Sequence, residues 1–137
     1  MAQQDNPYLT ITLTGKAPVK IKKDDWPVLA SANEKEYDNQ YEFQANRTAN
    51  FKLTVRQHED GRCIVYGVHS YDSHYEGEHG RDVRGGELLD KESDIPGAIA
   101  KVAAELESLM PDGAQWSTGY WPRLAHECTA DLPAVEL

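Results

Sequence analysis

Residues 8–14 and 19–22 alternate between apolar and polar positions, which is the pattern of half-buried β-strands. Two strands separated by a turn at residues 15–18 are predicted. Their inward apolar positions are Leu9, Ile11, Leu13, Val19 and Ile21. The alternation stops at Asp24 and Asp25, which suit a helix N-cap, and Pro27 suits a first helical turn. A short helix over residues 28–32 is therefore expected, followed by a charged loop over residues 33–40.

Strands resume in the middle of the chain. Alternation over residues 41–45 and 51–56 predicts two of them, and Asp60-Gly61 predicts a hairpin turn, because this pair tolerates positive φ angles. The return segment, residues 63–68, is apolar on both faces and indicates a central strand. Residues 71–86 are polar and glycine-rich, so a long loop is expected there, with a further short strand at residues 87–89.

Two helices are predicted at the end of the chain. Asp94 is the expected N-cap of the first, which ends at the Pro-Asp-Gly sequence of residues 111–113. The second begins near Ser117 or Thr118 and ends at Pro133. The apolar stripes of the two helices are Ile95, Ile99, Val102, Leu106 and Leu109, and Trp121, Leu124, Ala125, Cys128 and Leu132.

Strands in meander order followed by paired helices indicate an α+β fold. We expect an antiparallel sheet of about 4–6 strands, with two C-terminal helices packed on one face and a short helix after strand 2. The 137 residues, of which 39% are hydrophobic, suffice for one core, so a single domain over residues 1–137 is expected. The other sheet face is expected to be solvated and cationic, with outward side chains Lys20, Lys22, Lys52 and Arg56.

The net charge is distributed unevenly along the chain. Residues 1–69 hold nine Lys/Arg and nine Asp/Glu, whereas residues 70–137 hold five and fourteen, so the second half carries the whole formal charge of −9. Such a surface repels nucleic acid and anionic membranes and attracts basic proteins. Because the start of the chain is polar and no long apolar run follows, neither a signal peptide nor a membrane span is predicted, and a cytoplasmic location is expected.

The segment richest in residues that could bind a metal or take part in catalysis is residues 69–79, where His69, His74 and His79 occur among carboxylates. Imidazole and carboxylate groups together suit Zn²⁺ or Mn²⁺. However, the spacing matches no established metal motif, and glycines from residue 77 onward make ordering the loop costly. We therefore predict no metal and no cofactor, with these three histidines as the metal-binding alternative.

Neither cysteine is predicted to be catalytic. Cys128 follows His126 at a distance of two residues, and such neighbours on a helix point in different directions. Cys128 falls on the apolar stripe and Cys63 in the central strand, where cysteine acts as a small buried hydrophobe. In a reducing cytoplasm both remain thiols. No catalytic residue is assigned, and the chain is expected not to be an enzyme.

A partner-binding surface is predicted from acidic residues of the second half combined with aromatic residues in loops. Acidic groups speed the encounter with a basic partner, and aromatic side chains anchor the complex. The predicted contact residues are Tyr71, Asp72, Tyr75, Glu76, Glu78, Asp82, Glu87, Asp90 and Trp116.

Four segments of the chain resemble a group of small acidic proteins from proteobacterial phages, plasmids and genomic islands. These segments are residues 26–30, 41–47, 55–62 and 130–134. The resemblance implies an accessory gene of a mobile element, a class in which anti-CRISPR and anti-restriction proteins are frequent. It implies no catalytic residue.

Three functions are compatible with the sequence. In the first, a non-enzymatic inhibitor or accessory protein blocks a basic, nucleic-acid-binding surface of a host defence protein, such as a CRISPR or restriction component. It does not bind nucleic acid or membrane itself. The second is a small metal-dependent or hydrolytic protein that uses residues 69–79. The third is a structural module that dimerises through its open sheet face or an edge strand. Bound metal would identify the second, and molecular size in solution the third.

Overall fold

The strands divide between a small hairpin and a four-stranded sheet. A computed structural model describes residues 6–38, 47–73, 82–91, 93–110 and 119–134, with side chains except at residues 36–38, 47–48 and 71–73. The hairpin consists of β1 (Tyr8–Ile11) and β2 (Val19–Lys22). The antiparallel main sheet contains, in chain order, β3 (Val28–Asp38), β4 (Arg47–Gln57), β5 (Cys63–Ser73) and β6 (Val83–Leu89). Two helices follow, α1 (Ile95–Leu109) and α2 (Tyr120–Asp131).

The α+β class expected from the sequence is confirmed, and both helices cover the same face of the main sheet. α1 lies over β5 and β6, and α2 lies over β3 and β4. Alternate residues of each strand point to this face, as the two-residue period of a strand requires. The core between sheet and helices includes Phe51, Leu53, Val55, Val65, Ile99, Leu106, Trp121 and Leu124.

Two glycines let the helices approach the middle of the sheet closely. Gly67 of β5 and Gly85 of β6 are directly paired across the strands. A Cβ atom at Gly67 would overlap Cδ1 of Leu106 and lie 3.1 Å from Cζ3 of Trp121, and one at Gly85 would lie 3.3 Å from Cδ2 of Leu106. The Cβ atom at Gly85 would also lie 2.7 Å from Oγ1 of Thr14. A side chain at either position would therefore displace its neighbours. We call this pair of residues the glycine notch.

The other face of the main sheet is partly covered by the hairpin, whereas a solvated face was expected. Ile11, Leu13 and Ile21 of the hairpin layer are buried in a second core with Ile64 of β5 and Trp26. The alternation of the first strands correctly identified which hairpin residues turn inward. It could not show that they pack on the main sheet, because alternation records a buried face and not the element that buries it.

Both edges of the main sheet are partly covered. At β3, the backbone N–H of Ser31 donates a hydrogen bond to Oδ2 of Asp131 at 3.0 Å. At β6, the N–H of Thr14 donates to the carbonyl oxygen of Gly86 at 2.9 Å, and the N–H of Gly86 donates to Oγ1 of Thr14 at 3.2 Å. These contacts occupy edge groups that would otherwise pair with another strand.

Residues 28–32 form the start of β3, and the prediction of a short helix there is wrong. Ala30 and Ala32 are buried while Ser31 and Asn33 are exposed, which is the two-residue period of a strand. Pairing with the buried strand β4 continues along β3. This tertiary pairing outweighs the local helix signal, as commonly happens for short segments.

The aspartates before this strand do mark a turn, but it is a single 3₁₀ turn over Lys23–Asp25. The charged segment 33–40 is strand as far as Asp38, where a loop was expected. Its charged side chains are compatible with an edge strand, where one edge faces solvent. The strand predicted over residues 41–45 lies outside the described residues.

Residues 71–86, expected to form one long loop, include parts of two strands. β5 continues to Ser73, and β6 begins at Val83. Most of β6 was not predicted because its glycines are typical of a loop. In the structure these glycines lie inside the strand, at positions where neighbouring atoms come too close for a side chain. A Cβ atom at Gly86 would lie 2.7 Å from the carbonyl oxygen of Val65 and 3.0 Å from that of Thr12.

The two helices largely follow their predicted boundaries and stripes. Asp94 caps α1, because its Oδ1 accepts a hydrogen bond from the N–H of Gly97 at 3.1 Å. Leu109, expected in the apolar stripe, is 51% exposed at the last residue of α1. α2 begins after Gly119, whose φ is +88°, later than the expected Ser117 or Thr118. Within the described ranges, no helix combines the length and apolar character needed to cross a bilayer.

We predict that Gly67→Ala lowers the free energy of unfolding by about 1–3 kcal/mol, because the added methyl group overpacks the glycine notch. Urea denaturation measures this loss. Leu106→Ala alone should cost about 2–5 kcal/mol, but the double variant should cost less than the sum of the two, since Leu106 supplies the clashing atom. A Gly67→Ala protein as stable as the parent would contradict the notch.

Candidate functional site

One end of the molecule gathers the ends of six elements. β3, β5 and α1 finish there, and β4, β6 and α2 begin there. The chain between residues 38 and 47, 73 and 82, and 110 and 119 therefore leaves and rejoins the described structure at this end. We call it the acidic end. Its described carboxylate positions are Glu34, Glu36 and Asp38 of β3, Asp72 of β5, and Asp82.

Ion pairs neutralise two of these carboxylates. Asp82 contacts Nη2 of Arg84 at 3.1 Å, and Glu34 contacts Nη2 of Arg123 at 3.4 Å. All four side chains are partly exposed, so each pair contributes about 1 kcal/mol at most. Lys35 of β3 and Arg47 of β4 are basic positions at the same end. The three connecting sequences, which lie outside the described residues, hold Glu42, Glu76, Glu78 and Asp112 against Arg81.

The structure places three of the nine predicted contact residues at the acidic end. Tyr71 and Asp72 lie in β5 opposite Ala49 and Thr48 of β4, and Asp82 immediately precedes β6. Four others lie outside the described residues, in connections that begin and end here. They are Tyr75, Glu76, Glu78 and Trp116.

Glu87 and Asp90 lie elsewhere. Oε1 of Glu87 accepts a hydrogen bond from Nζ of Lys101 on α1 at 3.3 Å, so this carboxylate joins the sheet to a helix. Asp90 is exposed after the last residue of β6, at the opposite end of the sheet. These two residues were grouped with the other acidic residues because they are close in sequence. In the structure, β6 carries the chain from one end of the sheet to the other, so residues at its two ends lie on different surfaces.

A buried aromatic cluster lies in the core next to the acidic end. The ring of Phe51 lies 4.7 Å from the rings of both His69 and Tyr120, and 5.7 Å from that of Trp121. His69 is 2% exposed. Within the described structure, Nδ1 of His69 and Nε1 of Trp121 have no hydrogen-bond partner. Burial lowers the pKa of His69, and the nearby charge of Asp82 opposes this shift only in part.

This placement bears on the metal-binding alternative. His69 lies in the buried strand β5 and not in a loop, while His74 and His79 lie outside the described residues. Among the residues that are described, no three His, Cys, Asp or Glu side chains are grouped closely enough to hold a metal ion.

Both cysteines are buried free thiols. Burial raises the pKa of Cys128 to about 11, with a further contribution from the charge of Asp131. Burial also raises the pKa of Cys63. Because the thiolate is the nucleophile, both groups are unreactive near pH 7.

The four residues expected to form a cationic sheet face are divided between two layers. Lys20 and Lys22 belong to the hairpin, where Nζ of Lys20 lies 4.6 Å from the centre of the Tyr8 ring. Lys52 is exposed on β4. Arg56 is occupied by structural contacts, because its Nη1 donates to the carbonyl oxygen of Trp26 at 3.0 Å and its Nε to the hydroxyl of Tyr66 at 2.9 Å.

A groove of about 530 Å³ lies at the end of the sheet opposite the acidic end. It is bounded by the 3₁₀ turn, the start of β3 and the turn between β4 and β5. Its lining residues are Asp24, Asp25, Pro27, Val28, Leu29, Gln57, His58, Glu59 and Gly61. No sequence pattern identified it, since the groove depends on a β-bulge between Val28 and Ala30 in a segment that was predicted to be helical.

We predict that His69 makes the protein less stable as the pH falls below about 6.5, where an unfolded histidine takes up a proton. The folded protein resists this protonation because burial lowers the pKa of His69. Protons therefore bind preferentially to the unfolded chain, and the free energy of unfolding decreases until the folded pKa is passed. Urea denaturation from pH 7.5 to 5.5 should show a smaller decrease for His69→Phe than for the parent. Parallel curves would contradict this assignment.

We predict that Cys63→Ala and Cys128→Ala each lower the free energy of unfolding by roughly 1 kcal/mol or somewhat more, because each removes buried sulfur. In the native parent, a thiol-specific reagent such as dithionitrobenzoate should react slowly at pH 7 and rapidly in denaturant. Rapid reaction of the native protein that disappears in one cysteine variant would show an accessible thiolate and reject the structural role.

The geometry therefore presents two surface regions, the acidic end and the groove, and a buried cluster that carries no accessible reactive group. In comparisons with protein-family models, curated proteins and solved structures, nothing matches this chain.

Proposed function

We propose that this chain is a non-enzymatic binding protein from a mobile genetic element. Its acidic end covers a basic, nucleic-acid-binding surface of a host defence protein, as an anti-CRISPR protein would. The observation that carries the proposal is a topology that starts and ends three connections at one end, where their sequences hold four carboxylates against one arginine. The chain's net charge of −9 falls entirely in residues 70–137, which include two of these connections.

Electrostatics supports this mode of action. A surface with excess negative charge accelerates the encounter with a basic partner and disfavours contact with nucleic acid itself. Glu34 and Asp82 are each paired with an arginine, and a paired carboxylate attracts a basic partner less strongly. We therefore assign the attraction of the partner to the carboxylates of the connecting sequences.

The described reactive groups support a non-enzymatic role. Both thiols are protonated near neutral pH, and His69 is buried with a lowered pKa. Asp94 caps a helix, and Glu87 pairs with Lys101. The position of each of these groups is therefore explained by a structural role, and no catalytic role is needed.

Covered sheet edges weigh against the dimerisation alternative. Asp131 occupies the Ser31 amide on one edge, and Thr14 occupies Gly86 on the other. An added strand would have to displace these hydrogen bonds, each of which contributes about 1 kcal/mol.

We predict that removing charge at the acidic end slows association with the host protein. Tagged protein captures the partner from bacterial lysate, and mass spectrometry identifies it. The variant Glu76→Gln/Glu78→Gln/Asp112→Asn should then lower the association rate constant about tenfold at low salt and much less at high salt, because salt screens steering.

The matched control is Asp90→Asn/Glu105→Gln/Glu127→Gln, which removes the same charge from the far end of β6 and from the helices. It should associate at nearly the parental rate, and unfolding of both variants should stay close to the parent. Equal, salt-insensitive rates in all three proteins would reject the proposal. A slower control would move the working surface to the helical layer.

A further inference from the structure

The groove has the form of a docking site for an extended segment. Small molecules bind where most of their surface is enclosed, whereas most residues lining this groove are exposed at its rim. Its volume of about 530 Å³ is formed by two segments of the chain, residues 24–29 and 57–61, that meet at one end of the main sheet. A side-chain-bearing segment of another protein fits this open form better than an enclosed ligand does.

The β-bulge gives the groove an apolar centre. Val28 pairs with Arg56 and Ala30 pairs with Val55, so the bulge shifts the register between them. Val28 is left 51% exposed. Bulges commonly redirect side chains in this way, and Pro27 and Leu29 extend the apolar surface on either side.

Carboxylates surround this apolar centre. Asp24, Asp25 and Glu59 are all exposed lining residues, and neither aspartate caps the 3₁₀ turn with its side chain. Cations also lie close by, outside the lining. Lys23 belongs to the same 3₁₀ turn, and Arg56 pairs with Val28 across the strands. Arg62 pairs with Asp60 at 2.8 Å, and Lys91 packs its stem toward Gly61. Within the described part of the chain, the lining itself holds three carboxylates and no lysine or arginine.

The groove is held in shape before any partner binds. The N–H of Gln57 donates to the carbonyl oxygen of Pro27 at 3.1 Å, and the N–H of His58 donates to that of Arg62 at 2.9 Å. The ring of His58 lies 5.1 Å from that of the buried Trp26. Such preorganisation reduces the entropy lost on binding.

We propose that the groove binds a short basic and apolar segment of a partner protein. Lysine or arginine side chains of the segment meet Asp24, Asp25 and Glu59, and an aliphatic side chain between them packs on Val28. Charge complementarity selects this occupant, because an acidic segment would be repelled by three carboxylates. The site is independent of the acidic end, which lies at the other end of the sheet.

The test is an NMR titration of the isotope-labelled full chain with three capped peptides. Arg-Leu-Arg-Leu-Arg should shift the amide signals of Val28, Gln57 and Gly61, whereas Arg-Ser-Arg-Ser-Arg should bind more weakly and Glu-Leu-Glu-Leu-Glu should not bind. The variant Asp24→Asn/Asp25→Asn/Glu59→Gln should weaken the first peptide about tenfold, since it removes three exposed charge contacts. Val28→Ser should weaken it as well.

The control is Asp82→Asn/Glu105→Gln/Glu127→Gln, which has the same net charge as the groove variant. It changes one residue at the acidic end and two on the helices, and it should bind like the parent. Equal weakening by both charge variants would show non-specific attraction and overturn the proposal. Shifts confined to the acidic end would also overturn it, while leaving the proposed function intact. Well-dispersed spectra of each variant confirm that folding is retained.

Discussion

The fit of Leu106 and Trp121 into the glycine notch sets the distance between the helices and the main sheet. A closely packed interior tolerates little adjustment, so this contact fixes how deep both helices lie. α1 supplies Leu106 and α2 supplies Trp121, which means that the notch also brings the two helices together. The aromatic cluster around Phe51 is the next layer of the same packing. The acidic end is where those helices join, and its position therefore follows from the notch.

Local patterns predicted the elements whose signals are confined to neighbouring residues. The Asp94 cap, the turn at Gly61 with its φ of +96°, and the buried face of α2 all depend on a few adjacent side chains. The α+β class followed from the order of these elements. The first strands also alternated as expected, although their packing partner was not visible in the pattern.

Tertiary contacts determined what the sequence pattern could not reveal. Residues 28–32 have local features of a helix start, yet pairing with β4 makes them a strand. Gly85 and Gly86 resemble a loop until the closeness of Leu106 and the Val65 backbone is known. The groove depends on both kinds of effect, since a bulge in the unexpected strand forms its centre. Glu87 and Asp90 lie away from the other acidic residues because β6 is longer than the pattern predicted, and its two ends are therefore far apart.

The two ends of the sheet differ in how their negative charge is presented. At the acidic end, two of the described carboxylates pair with arginines, and the connecting sequences that leave from there hold four more carboxylates. In the groove, the carboxylates flank an exposed aliphatic side chain on a rigid floor. Long-range attraction suits the first arrangement, whereas short-range packing suits the second. A chain with both could orient itself on a large basic partner through two separated contacts.

The bond between Thr14 and Gly86 has a consequence for synthesis on the ribosome. It joins residues 72 positions apart, so the hairpin leaves the ribosome long before its docking surface exists. Ile11 and Ile21 must stay exposed until β5 and β6 have emerged, and a two-stranded hairpin alone has little stability in water. The hairpin is thus synthesised before the strands on which it packs.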